Sequence, residues 1–225
     1  MIKLIIFDWD DVFTLGSRVG YFKCYHDTMI DIGIDLGKDE EEKRILAKWG
    51  TSHYEEFQEL LKENPDLIEK ACSIYEKKLF GNTFVDCLYV LEDAISLLNR
   101  LHKNQNLAIA TGMHPGLLKE VIIPKFGFPD VFSRIMSSYD VKPGQSKPSP
   151  FMVEKIMKSL NINPSETVVV GDSKSDVLMA QAAGVIPIVV LSGNLSEEQA
   201  KELGVKYIVK DVTQIESALD EIKHQ

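Results

Sequence analysis

The chain has 225 residues, of which 44% are hydrophobic, and it carries a formal net charge of -9. This length and composition are those of a folded protein with one large domain, or with one domain that carries an insertion, and they argue against a disordered chain. The acidic balance argues against nucleic acid or an anionic membrane as the main partner, because both bind basic surfaces.

The first apolar run, Leu4–Phe7, is too short for a signal-peptide core or a membrane span, and Asp8 interrupts it. The three cysteines, Cys24, Cys72 and Cys87, are widely separated and form no CxxC pair, which favours free thiols in a reducing compartment. We therefore expect a cytoplasmic protein without a membrane partner.

Short apolar runs alternate with amphipathic stretches along most of the chain. In chain order the runs are KLIIFDW near the N-terminus, LAIAT (107–111), FSRIMSS (132–138), TVVVGD (167–172), IPIVVL (186–191) and KYIVK. Apolar residues with helical spacing occur at 91–101, 150–160 and 175–183. The alternation predicts an α/β fold, a Rossmann-like parallel sheet with helices on both faces.

Residues 16–84 interrupt this alternation. Four successive segments there have apolar residues three and four positions apart, which is the spacing of amphipathic helices: YFKCYHDTMIDIG, DEEEKRILAKW, HYEEFQELLKE and DLIEKACSIYEKKLF. The pattern predicts a helical domain, residues 16–84, inserted after the first strand of a core domain that consists of residues 1–15 and 85–225.

Carboxylates follow the first strand, in the sequence FDWDD. Because side chains alternate along a strand, Asp8 and Asp10 point to the same side just past its carboxyl end. Thr111 and Asp172 end two other predicted strands, Asp176 follows one helical turn later, and ligands bind at this edge of an α/β sheet. Any one of these aspartates is equally compatible with a solvated strand end or a helix cap. Together they predict an acidic cluster that needs a cation, and oxygen ligands without His or Cys favour Mg²⁺.

Four segments carry a resemblance to a known family. FDWDD (7–11), ATG (110–112), KPSP (147–150) and GDSKSDVLMAQAAG (171–184) resemble, in order and in predicted position, the four motifs of the haloacid dehalogenase-like (HAD) hydrolase superfamily. The inserted helices resemble the small helical cap of the subgroup that includes phosphoglycolate phosphatase and β-phosphoglucomutase.

The resemblance implies a role for each motif residue. Asp8 would be the nucleophile that forms an aspartyl-phosphate, and Asp10 would be the general acid and base. The Asp8 carboxylate, the backbone carbonyl of Asp10 and Asp172 would hold Mg²⁺, with Asp176 as a further or outer ligand. The phosphoryl group would be bound by the Thr111 hydroxyl, the Gly112 backbone and the Lys147 charge. Two places depart from the family pattern. Asp11 stands where glycine is usual, and LYVLE (88–92) stands in place of an LYPGV-like entry to the next helix.

Two places outside the motifs are candidates for substrate recognition. The segment AKWGTSHYEE joins two predicted cap helices around Gly50, and such turns face the substrate in capped family members, although the residues alone indicate an ordinary helix connection. The substrate-binding residues there would be Lys48, Trp49 and His53. His114 follows the second motif closely enough to contact substrate, or it caps the helix that begins near Pro115.

The resulting prediction is a Mg²⁺-dependent phosphatase acting on a small phosphorylated metabolite, as a monomer or a weak homodimer. A phosphomutase of the β-phosphoglucomutase type shares every core motif and stays an alternative. A dehalogenase fits less well, because enzymes of that kind have no general acid and base at the position of Asp10 and need no metal. A non-catalytic phosphate-ligand binding protein is the alternative from another class, and the intact motif residues argue against it.

Overall fold

A computed structural model of the protein describes residues 1–49 and 52–224. Gly50, the centre of the predicted substrate-facing turn, lies outside the described residues. The chain forms two compact units, one of Met1–Leu15 with Val90–Gln225 and the other of Gly16–Tyr89. The assignment of these units as a catalytic core and a cap stays a prediction.

The inserted unit is helical in its described residues. Its helices are α1 (Ser17–Asp31), α2 (Lys38–Ala47), α3 (His53–Leu60), α4 (Ile68–Leu79) and the short α5 (Asn82–Val85). Helix α3 begins at His53 because Ser52 and Glu55 form a reciprocal capping box. The unit extends past the predicted residue 84, to Tyr89. The short α5 at its end packs on α1, where the fully buried ring of Phe84 leaves no room for a side chain at Gly20.

The larger unit contains a six-stranded parallel sheet, which confirms the predicted fold class. Its strands are β1 (Leu4–Phe7), β4 (Asn106–Thr111), β5 (Phe132–Ser137), β6 (Thr167–Gly171), β7 (Ile186–Val190) and β8 (Tyr207–Val209), in the order β5-β4-β1-β6-β7-β8. Two-residue strands, β2 (Thr14–Leu15) and β3 (Tyr89–Val90), occur where the chain passes from one unit to the other. Strand β1 lies between β4 and β6, so its carboxyl end is flanked by the ends of both.

Both faces of β1 are buried. The helices of this unit are α6 (Ala94–Leu101), α7 (Ile123–Phe126), α8 (Phe151–Leu160), α9 (Lys174–Ala182), α10 (Glu197–Glu202) and α11 (Ile215–Lys223). Leu4 and Ile6 belong to one apolar cluster with Met152 of α8, whereas Ile5 and Phe7 point to the other face and are equally buried. This is the pattern of a sheet covered on both sides, as predicted. In the described part of the chain, no helix is long and apolar enough to cross a bilayer.

The chain leaves β1 through a tight turn in which Asp11 has a left-handed backbone, with φ of 55°. The Asp11 N–H donates to the Thr14 carbonyl at 2.8 Å, and the Ser192 hydroxyl donates to the Asp11 carbonyl at 2.6 Å. This region of φ favours glycine, and other L-residues occupy it at a cost of about 1–2 kcal/mol. Asp11 therefore adopts a conformation that the usual glycine would adopt without strain.

We expect Asp11→Gly to be more stable than Asp11→Ala by about 1 kcal/mol. Both substitutions remove the same carboxylate, so their difference isolates the backbone conformation. The free energies of unfolding in urea measure this difference, with wild type as the reference. An Asp11→Ala protein as stable as Asp11→Gly would contradict the left-handed turn.

Candidate active site

Three carboxylates and one ammonium group meet at the carboxyl edge of the sheet. Asp8 directly follows β1, Asp172 directly follows β6, and Asp176 lies in the first turn of α9. One oxygen of each carboxylate lies within 4.8 Å of the others. The Nζ atom of Lys147 is 2.8 Å from Asp8 Oδ1 and 2.6 Å from Asp176 Oδ1. With all four groups ionised, the cluster carries two net negative charges.

Backbone contacts fix the position of Asp8. Its N–H donates to the Val170 carbonyl at 2.9 Å and so continues the pairing of β1 with β6. The Trp9 N–H donates to Asp8 Oδ1 at 2.7 Å. The carboxylate is thus held by the strand end itself and by Lys147.

Asp176 has a structural task as well as its place in the cluster. Its Oδ2 accepts from the Ser173 hydroxyl at 2.5 Å and from the Ser173 N–H at 3.2 Å, forming the capping box that begins α9. Its Oδ1 contacts Lys147. Residue 171 has to be glycine, because a Cβ there would lie 2.4 Å from the Asp176 side chain. Both Asp176 oxygens are therefore engaged by protein groups.

Burial dominates the electrostatics of the cluster. It raises the pKa of Asp8, although the Lys147 charge acts in the opposite direction. Burial, followed by the charges of Asp176 and Asp8, raises the pKa of Asp172 well above its ordinary value. Burial alone would lower the pKa of Lys147, but the Asp176 and Asp8 charges outweigh it and raise that pKa. Lys147 therefore stays protonated, whereas the carboxylates have too little positive charge around them to compensate for their burial.

The second motif lies at the end of β4. Thr111 is fully buried, and its Oγ1 accepts from the Met113 N–H at 3.2 Å. The Ser138 hydroxyl donates to the Gly112 carbonyl at 3.0 Å, and the Ser137 hydroxyl donates to the Met113 carbonyl at 2.6 Å. These two serines are not among the predicted site residues, although their place at the end of the predicted strand FSRIMSS puts them at the same edge of the sheet.

Two further predicted residues lie on the loops of this edge. Asp10 is half-buried and forms a bridge with Thr14 within the turn after β1. The His114 Nδ1 accepts from the Gly116 N–H at 3.1 Å, and the His114 ring packs against the edge of Tyr139, with centroids 4.8 Å apart. The two roles considered for His114, helix cap and substrate contact, both stay predictions.

The residues predicted to recognise substrate from the inserted unit differ in how firmly they are held. The Trp49 indole is 37% exposed and packs near Phe22, with ring centroids 5.4 Å apart. The His53 side chain is 15% exposed, and its Nε2 lies 3.3 Å from Glu76 Oε1. Lys48 is exposed at the end of α2. Their assignment to substrate binding stays a prediction.

The parallel sheet and the acidic cluster at its carboxyl edge place the chain among Rossmann-like α/β enzymes. Residues 2–184 match the sequence model of the haloacid dehalogenase-like hydrolases, and the chain belongs to that family. The family membership confirms the resemblance predicted from the four motifs.

Two of the similar proteins are named as phosphatases. Glyceraldehyde 3-phosphate phosphatase of Methanopyrus kandleri is 24% identical over a 216-residue alignment that covers 89% of each chain. Phosphoglycolate phosphatase of Neisseria meningitidis is 34% identical over a 130-residue alignment that covers 52% of this chain and 54% of the relative. A haloacid dehalogenase-like hydrolase from Streptococcus pneumoniae has the same fold, with a TM-score of 0.74 at 19% identity over 97% of this chain and 98% of the other. The family model shows that the chain is a haloacid dehalogenase-like hydrolase.

Proposed function

We propose that the protein is a Mg²⁺-dependent phosphatase that hydrolyses a small phosphate monoester through an aspartyl-phosphate on Asp8, in the manner expected of a phosphoglycolate-phosphatase-like enzyme. The observation that carries this proposal is the buried cluster of Asp8, Asp172 and Asp176 around Lys147, with its two uncompensated negative charges. Such a cluster is costly without a cation and is suited to a phosphoryl group once a cation is bound.

The donor set fits Mg²⁺. All candidate ligands are oxygens, which hard dications prefer, and the two excess charges equal those that the ion brings. Asp8, Asp172 and the Asp10 carbonyl would hold the ion, whereas Asp176 would act through its charge because the helix cap and Lys147 engage its oxygens. When bound, Mg²⁺ would offset the repulsion between the Asp8 carboxylate and an incoming phosphate.

The reaction follows from the roles of the side chains. An Asp8 carboxylate oxygen attacks phosphorus, and Asp10 protonates the leaving oxygen of the substrate. Asp10 then takes a proton from water, which attacks the same phosphorus and breaks its bond to Asp8, restoring the carboxylate. The Lys147 ammonium stabilises the phosphoryl charge, and the Gly112 backbone binds a phosphoryl oxygen. Because Thr111 Oγ1 accepts from Met113, its hydroxyl proton is directed to another acceptor, which we assign to the phosphoryl group.

A small, anionic substrate suits the residues outside the core motifs that are candidates for substrate binding. Lys48 supplies a cation, Trp49 supplies a partly exposed apolar wall, and His53 and His114 supply ring nitrogens, each already in contact with another protein group. The two relatives described above are named for phosphoglycolate and glyceraldehyde 3-phosphate, both small phosphorylated metabolites. Substrates of this size leave little surface beyond the phosphoryl group, so a few cap contacts would determine specificity.

A phosphate-release screen over phosphorylated metabolites tests the proposal. With Mg²⁺ present, we expect release to be fastest from small phosphorylated carboxylic acids, and in EDTA we expect release to fall to background after bound metal is removed. Conversion of a sugar phosphate to its isomer without release would favour the phosphomutase alternative. Tight ligand binding without turnover of any compound would favour the non-catalytic alternative, and full activity in EDTA would contradict the metal requirement.

A further inference from the structure

The loop after β7, residues 191–196, contacts the carboxylate that follows β6. The Asn194 N–H and the Asn194 Nδ2 both donate to Asp172 Oδ2, at 2.8 Å and 2.6 Å. The Leu195 N–H donates to the backbone carbonyl of Asp172 at 2.9 Å. Side chain and backbone of Asp172 are thus held from one direction by a loop that contains none of the four family motifs.

The loop also fits closely around this carboxylate. A Cβ at residue 193 would lie 2.0 Å from Asp172 Oδ2, so Gly193 allows the carboxylate to approach the loop backbone. The preceding residue, Ser192, donates to the carbonyl of Asp11, next to Asp10 in the turn after β1. One loop therefore contacts Asp172 and the turn that contains the Asp10 carbonyl.

We propose that Asn194 is a positioning residue for the Mg²⁺ site, because its two donors to Oδ2 set the orientation of the Asp172 carboxylate and leave Oδ1 for the ion. This inference rests on the proposed function. Hydrogen bonds from neighbouring groups fix the rotation of a ligating carboxylate, and their loss typically weakens metal binding by about 10–100-fold. The Asn194 backbone N–H remains in any substitution except proline, so the loss of the side-chain donor alone falls at the lower end of that range.

Titration of metal-stripped protein with Mg²⁺ by calorimetry tests this role. We expect Asn194→Ala to bind Mg²⁺ about 10-fold more weakly than wild type. Its activity should need correspondingly more Mg²⁺ for half-saturation and approach the wild-type kcat when Mg²⁺ is saturating. Asn194→Ser keeps a hydroxyl donor and should bind with intermediate affinity, and it serves for the comparison if the alanine variant does not fold. Asn99→Ala is the matched control, because its exposed amide contacts only the Ile95 carbonyl of α6 in the described structure.

The outcomes separate this inference from the proposed function. Wild-type affinity in Asn194→Ala, together with loss of binding in Asp172→Asn, would overturn the positioning role and leave the metal site intact. Wild-type protein that binds no Mg²⁺ would overturn both. Weaker Mg²⁺ binding together with an unchanged melting temperature in EDTA would support the positioning role, since a merely structural residue would move the melting temperature and leave the metal titration unaffected.

Discussion

Asp8→Asn should abolish turnover while the protein stays folded. An amide is a poor nucleophile toward phosphorus, and loss of a covalent nucleophile costs about 10⁴-fold or more in kcat in other enzymes. Asparagine has nearly the same size as aspartate, and its carbonyl oxygen still accepts from the Trp9 N–H. The measurement is phosphate release at saturating Mg²⁺, with circular dichroism to verify the fold.

A second measurement distinguishes a nucleophile from a residue that only binds the ion. Acid quenching of the wild-type reaction should trap a phosphorylated peptide that contains Asp8, and the asparagine variant should give none. Asp220→Asn is the control, because that carboxylate is 68% exposed and lies outside the cluster. A variant that retains wild-type activity, or a phosphorylated peptide from elsewhere in the chain, would remove Asp8 from its proposed role.

The arrangement of the core was predictable because its signals are local. The strand of Leu4–Phe7 is apolar throughout, and a polar residue that ends a parallel strand or directly follows one must lie at the carboxyl edge of the sheet. Asp8, Thr111 and Asp172 follow this rule, so neighbouring strands bring them to one edge although they are far apart in sequence. Apolar spacing likewise indicated the long helices of the inserted unit.

The parts that sequence reasoning missed depend on contacts between distant loops. Nothing in the stretch LSGNLS indicates that Asn194 reaches Asp172, because the contact depends on the pairing of β6 with β7 and on how the chain turns after β7.

The short α5 (Asn82–Val85) has too few residues to show a helical period. A positive φ at Asp11 is equally invisible in the sequence, since aspartate is only one of several residues that tolerate it.

Asp172→Asn should change catalysis and metal-free stability in opposite directions. The variant loses a proposed Mg²⁺ ligand, so we expect its activity to fall by about 10²-fold or more. The loss of a group that only hydrogen-bonds to a metal ligand already costs about 10–100-fold in metal affinity or activity. The same substitution removes the buried negative charge of Asp172. Burial, followed by the charges of Asp176 and Asp8, raises the pKa of Asp172 well above its ordinary value of 3.8. Asparagine can accept the same two hydrogen bonds from Asn194 without carrying that charge.

The sign of the stability effect follows from proton linkage. The folded state holds the Asp172 proton more tightly than the unfolded chain does. Ionisation of this group therefore makes the protein less stable as the pH rises above the pKa that Asp172 has in the unfolded chain. The destabilisation persists at every pH above the pKa of the folded state. Asparagine does not ionise. In EDTA at neutral pH, we therefore expect Asp172→Asn to melt above wild type, by about 2–4 °C for each kcal/mol of relieved charge, and we expect the difference to shrink as the pH falls toward the unfolded pKa.

Addition of Mg²⁺ should reverse the order of the two proteins. A ligand that binds the folded state raises its melting temperature, so wild type should gain stability with increasing Mg²⁺ while Asp172→Asn should stay nearly constant. Melting temperatures of both proteins, with Asp220→Asn as the control, over a range of pH with and without Mg²⁺, measure this crossing. A variant that melts below wild type in EDTA at neutral pH would mean that the Asp172 charge is compensated without the ion, and the electrostatic case for a cation at this cluster would fail with it.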